Sequence, residues 1–148
     1  MPCISLWQPW AQLIVLGAKK YETRDWIAPQ QFRGRIAIHA AKTTKDRINK
    51  VDLCEYCFLP HFYEFVPVFE ELPLGAVVGT VELTHCYRVE DVRPHLSDQE
   101  LAFGNYEDGR FCWRMKDPVI FKEPIPLRGL QKFFTIDLAD ELLGVRVA

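Results

Sequence analysis

The sequence predicts an α+β domain that is mainly β: a small, closed or partly closed β-barrel with helices packed against its outside. Three observations lead there. Apolar residues alternate over many short runs, the period of a half-buried strand. Only two or three stretches carry helical spacing. Ten prolines punctuate 148 residues and keep regular elements short. The length suits one domain over residues 1–148, and 49% hydrophobic residues suffice to build a core.

Cys3–Leu6 opens the chain as a short apolar strand. Pro9 suits the first turn of a helix, where its missing N–H is no loss. Trp10, Leu13, Ile14 and Gly17 follow at helical spacing, and Gly17 stops the helix. Lys19–Arg24 reads as strand or extended loop, and Arg35–His39 alternates as a strand. Thr44 caps a helix expected to run to about Cys57, with Ile48, Val51, Leu53 and Cys54 on its apolar side. Leu59–Leu74 is expected to be irregular, because Pro60, Pro67 and Pro73 discourage a long helix.

Ala76–Tyr87 is the strongest strand. Its alternation puts Val77, Gly79, Val81 and Leu83 on one face, with Thr80, Glu82 and Thr84 on the other. Asp98–Phe103 is a short helix, and Asp108-Gly109 signals a turn before a strand at Arg110–Lys116. Val119–Phe121 is a short extended run closed off by Pro124 and Pro126. Phe133–Asp137 is the last strand, with a short helix from Asp137 or Ala139.

Several function classes are disfavoured. No apolar run approaches the ~18–20 residues of a membrane span, and MPCISLWQPW lacks the pattern of a secretory signal. Five cysteines, an odd number, fit free thiols in a reducing, cytoplasmic setting. Cys54-x-x-Cys57 with His61 lacks the second ligand pair of a structural zinc site, so no metal and no cofactor is expected. Phosphate-binding loops, nucleophile elbows and HExxH are also absent. Net charge is −2, yet residues 1–50 carry a balance of +6 and residues 51–148 a balance of −8. That asymmetry suggests a basic face built by the N-terminal third.

Four segments occur in order: SLWQPWAQLIVLGAKKYETRDW, RGRIAIHAAK, GAVVGTVEL and FCWRMKDPVIFKEPIPLRGLQKFF. Together they resemble the ASCH domain family, relatives of the PUA fold, over nearly the whole chain. The family's G-x-K-x-x-E pattern is met by Gly17, Lys19 and Glu22. The resemblance implies a PUA-like small β-barrel with a cleft beside the first helix, lined by that segment, and ligands that are RNA, nucleosides or nucleotides. It also implies hydrolysis as an alternative, since some small bacterial relatives are amidohydrolases on N4-acylated cytidine and others have been proposed as nucleases. In those amidohydrolases the lysine works with a threonine where this chain has Glu22. Thr23 follows one residue later, and in a strand that shift turns a side chain to the opposite face.

The residues themselves support a cationic cleft. In an extended segment Lys20, Glu22 and Arg24 share one face, and Lys19, Tyr21 and Thr23 the other. Arg24 can grip a phosphate with two donors, and Glu22 can orient a cation or accept from a base amino group. Trp7 and Trp26 bracket the segment and can stack bases, or fill core with Trp10. Gln8 reads a base edge or caps the helix. His39 is a candidate acid/base beside Lys19 and Glu22, and Lys42 a phosphate contact. Glu82 is a second candidate carboxylate. Trp113 reads as core, with Arg114 pointing the other way. A third reading, a protein-interaction domain, would use the aromatic stretch Leu59–Phe69.

Overall fold

The computed structural model describes residues 1–42, 64–65 and 71–138. Among the described residues, six strands form one sheet: β1 (Pro2–Leu6), β2 (Tyr21–Arg24), β3 (Gly34–Ala40), β4 (Ala76–Arg88), β5 (Phe111–Pro126) and β6 (Phe133–Thr135). Their order is β2-β5-β4-β3-β1-β6, and the sheet curls into a half-barrel. β1 and β3 run parallel, and every other pairing is antiparallel. Among the described residues, three short α-helices have both ends defined: α1 (Trp10–Val15), α2 (Val89–Val92) and α3 (Asp98–Ala102). Among the described residues no helix is long and apolar enough to cross a membrane.

α1 starts after Pro9 and ends where Gly17 adopts φ 82°, a conformation that favours glycine. Its Ala11, Ile14 and Val15 pack on Ile4, Leu6, Ile36, Ile38, Val81, Leu83 and Trp113 to form the main core. Helix and sheet meet most closely at Gly79. A Cβ there would lie 2.2 Å from the Val119 carbonyl oxygen and 2.8 Å from Val15 Cγ1. The other face of the sheet carries a smaller apolar cluster around Cys3, Ala37, Val77 and Phe121.

Three expectations need correcting. Val77 does not share a face with Val81 and Leu83: the β4–β5 register shifts between Val77 and Gly79, and that irregularity reverses the alternation. The expected strand Arg110–Lys116 and run Val119–Phe121 are one bent strand, with Asp117 at φ 48° absorbing the bend. Pro124 and Pro126 lie within this strand rather than closing it off. β2 pairs only with Phe111–Arg114, so the prolines fall where β5 has an edge without a β partner and no ladder N–H is needed. Leu59–Leu74 lies mostly outside the described residues, as do the expected helix Thr44–Cys57, the Cys54-x-x-Cys57 pair, His61 and the stretch from Ala139. Asp137 is not helical.

Candidate nucleic-acid interface

A cleft of about 620 Å³ opens between the end of β1, the start of α1, β2 and the loop that follows α3. β2 supplies three consecutive lining residues, Glu22, Thr23 and Arg24. β2 is one edge of the sheet and β1 lies next to the other edge. Arg24 spans the gap between them: its Nη2 donates to the Ser5 carbonyl oxygen at 3.3 Å and lies 3.6 Å from Glu22 Oε2. Glu22 is buried and Arg24 partly exposed, so this ion pair sits at the boundary between interior and solvent.

The expected alternation is kept: Glu22 and Arg24 meet on one face of β2, while Tyr21 packs with Tyr106 and Thr23 meets the Asn105 loop on the other, and both Glu22 and Thr23 border the cleft. Glu22 folds back along the strand, and its Oε1 accepts the Thr23 N–H at 2.9 Å. Thr23 Oγ1 in turn accepts the Asn105 N–H at 3.2 Å. Arg110 closes the arrangement, donating from Nη2 to the Thr23 carbonyl at 3.3 Å and from Nε to the Asn105 carbonyl at 3.2 Å. The loop can lie this close because residue 104 is glycine; a Cβ there would sit 2.7 Å from the Tyr106 ring and 3.3 Å from Thr23 Cγ2. Trp7, 48% exposed, stands at the rim, and Trp10 is part of the wall.

Lys19 lies beneath this floor rather than on it. It is 2% exposed, and its Nζ donates to the Tyr21 carbonyl. Burial pushes its amine below the ordinary lysine range, against the pull of Glu22 and Glu100. Glu100, also buried, accepts the Lys20 N–H at 2.7 Å and the Tyr106 hydroxyl at 3.2 Å. Burial and then that carboxylate raise the Tyr106 phenol above its usual value.

His39 does not meet Lys19 or Glu22. The parallel register of β1 and β3 sets it beside Ser5, and its ring nitrogens contact Ser5 Oγ at 2.9 Å and the Leu127 carbonyl at 2.7 Å. A carbonyl only accepts, so Nε2 carries a hydrogen and donates it to Leu127, while Nδ1 bonds the Ser5 hydroxyl. Lys42 lines the same second cleft as His39. Gln8 is 1% exposed and caps α1: its Oε1 accepts the Gln12 N–H at 3.0 Å, and its Nε2 donates to the Pro73 carbonyl. Trp26 packs edge-on to Trp113 at 4.7 Å, away from the cleft lining. Glu82 pairs with Arg35 at 3.1 Å, and Arg114 lies 5.2 Å over the Tyr21 ring. Lys20 is exposed, and neither it, Glu82 nor Arg114 lines the cleft. Among the described residues no cluster of His, Cys, Asp and Glu is arranged to hold a metal ion.

A family model described as the ASCH domain matches residues 4–125. The chain belongs to the ASCH domain family. Activating signal cointegrator 1 of Homo sapiens is 27% identical over 135 residues, which is 91% of this chain and 22% of the human protein. Its Mus musculus counterpart is 25% identical over the same length. This ASCH domain thus spans about a fifth of the length of those curated relatives. The crystal structure of ASCH from Zymomonas mobilis superposes with a TM-score of 0.54 at 20% identity, covering 95% of this chain and 88% of that one. A mutant of the same protein gives 0.55 at 19% identity, covering 92% and 89%. The likeness extends to the fold: a PUA-like, mainly β domain with flanking helices.

Within this ASCH domain, the G-x-K-x-x-E residues divide into separate places. Gly17 ends α1, Lys19 is buried below the floor, and only Glu22 reaches the cleft. Sequence reasoning missed Ser5, Asn105, Arg110 and Glu100. Arg110 was read only as a strand start. The polar, glycine-flanked loop GNYEDG carried the available signal, since such loops commonly hold binding residues.

Proposed function

We propose that this ASCH domain binds RNA or a nucleotide in the cleft above Glu22 and Thr23. The observation that carries the reading is that the Arg24 and Arg110 guanidinium groups share one cleft with the half-exposed Trp7 ring. Guanidinium groups grip phosphate oxygens, and an exposed indole offers a stacking face for a base. Glu22 lies where it can accept from a base amino group. The volume, about 620 Å³, falls within the range of roughly 300–1,000 Å³ for small-ligand sites. The reading needs no cofactor. Titration with single-stranded RNA at two salt concentrations tests it. Affinity should fall as salt rises, because bound phosphates release counterions; affinity that is absent or indifferent to salt overturns it.

A hydrolase reading, on N4-acylated cytidine or on RNA, is favoured by one further observation. Lys19 is buried beside β2 and burial holds its amine below the ordinary lysine range, the direction that favours a lysine acting as a base. Turnover of N4-acetylcytidine that disappears in a folded Lys19→Ala variant supports this reading. Turnover that survives the change removes Lys19 from the mechanism.

A further inference from the structure

A second cleft, of about 760 Å³, adjoins the first, and Ser5 lines both. Ser5 is held from each side. Its carbonyl accepts from Arg24 of the first cleft, and its hydroxyl bonds the His39 ring of the second. The ordered chain Leu127–Gln131 forms much of the second wall. His39 fixes that wall by donating to the Leu127 carbonyl, and the Leu127 N–H bonds to the Gly75 carbonyl at 3.0 Å. Gly129 lies flat on the imidazole, where a Cβ would be 2.6 Å from Cε1. His39 therefore acts as a positioning residue for this wall.

The charged lining of the second cleft, among the described residues, consists of Lys42 and Arg128 with no carboxylate. Both are exposed, and among the described residues no ion pair engages either. Across the two clefts Arg24, Arg110, Lys42 and Arg128 face a single carboxylate, Glu22, in a chain whose net charge is −2. Such a concentration of one sign against the overall balance marks a polyanion track.

We propose that the two clefts form one groove for a single-stranded RNA oligonucleotide, with one nucleotide in the first cleft and the phosphates of its neighbours against Lys42 and Arg128. This rests on the RNA reading of the first cleft and extends it: the ligand is a strand, and a mononucleotide fills only part of the site. The test compares cytidine monophosphate with a single-stranded RNA pentamer at several salt concentrations, for the wild-type chain and a Lys42→Ala/Arg128→Ala double variant. The pentamer should bind more tightly than the mononucleotide and with a steeper salt dependence. The double variant should lower the pentamer's log–log salt slope by about 1.4, roughly 0.7 per lost phosphate contact on a single strand, and leave mononucleotide binding unchanged. That unchanged binding also shows that the variant is folded. A pentamer no tighter than the mononucleotide, or one indifferent to the double substitution, overturns the groove while the first cleft stands. If neither ligand binds the wild-type chain, both readings fall.

Discussion

The Glu100 carboxylate accepts the backbone N–H of Lys20 at 2.7 Å, joining α3 to the segment that leads into β2 across 80 residues of sequence. The same carboxylate accepts the Tyr106 hydroxyl. One buried side chain thus fixes the approach to Glu22, Thr23 and Arg24 from below and the Asn105 loop from the side.

Glu100→Ala should therefore destabilise the fold. It leaves the buried Tyr106 hydroxyl and the part-buried Lys20 N–H without their acceptor, at about 1–3 kcal/mol for the buried hydroxyl alone. Urea unfolding should show a lower midpoint, and Glu100→Gln, which keeps one acceptor oxygen, should recover part of the loss. An unchanged midpoint in the alanine variant would show that water replaces the carboxylate.

Lys19 makes stability depend on pH in a defined direction. Its folded pKa lies below the ordinary lysine value of 10.5 because burial penalises the charged amine. Between the folded and unfolded values the unfolded chain binds the extra proton, so this contribution to stability rises with pH across that window. Below the folded value the full penalty applies; above 10.5 it is gone. Lys19→Met removes the ionisable group while keeping an unbranched chain. Its stability advantage over wild type should be largest at the lower pH and should shrink as pH climbs toward that limit. Paired denaturation curves across the window check this, and a difference independent of pH would contradict it.

Gly79→Ala should be severe for so small a change. The new methyl would meet the Val119 carbonyl and the Val15 side chain, at the point where α1 packs on the sheet. Overpacking of this kind costs about 1–3 kcal/mol, and a backbone obstacle cannot swing aside as a side-chain tip can. A thermal melt should show the loss, and near-ultraviolet circular dichroism should report disturbed packing of Trp113, which lies in the same core.

Trp7→Ala should separate binding from folding. The ring is 48% exposed, so unfolding should change little, whereas a lost base stack weakens binding by about 1–3 kcal/mol. RNA titrations of this variant at fixed salt provide the measurement. Arg24→Ala should also lower affinity, but it should flatten the salt dependence as well, because it removes a phosphate contact.

Most strands were legible in the sequence. RIAIH alternates, and the β-branched and aromatic residues of RIAIH and FFT fit a pleated surface. The helix ending at Gly17 was equally plain. What periodicity could not reveal was the irregularity near Val77, because a bulge is a relation between two strands rather than a property of one. The site was legible in part. Glu22, Thr23 and Arg24 announce themselves as charge and polarity beside tryptophan. Arg110 and Asn105 arrive from more than 80 positions away, through contacts that only the folded loop creates. His39 was assigned to the wrong neighbours because the parallel pairing of β1 with β3, which sets it beside Ser5, is invisible to local pattern.

That pairing has a kinetic meaning. β1 is flanked by β3 on one side and β6 on the other, with Cys3 opposite Ala37 and Phe134. The strand that carries Ser5, and leads directly to Trp7, leaves the ribosome well before β6. Its second partner is among the last described elements to follow. Non-local pairing of this kind is slow, and an unmatched strand edge invites association with other chains in the interval. A nascent chain stalled before Phe133 should hold β1 on one side only. The β1 edge is therefore closed only after Phe133–Thr135 has followed, and synthesis of the residues between them sets the delay.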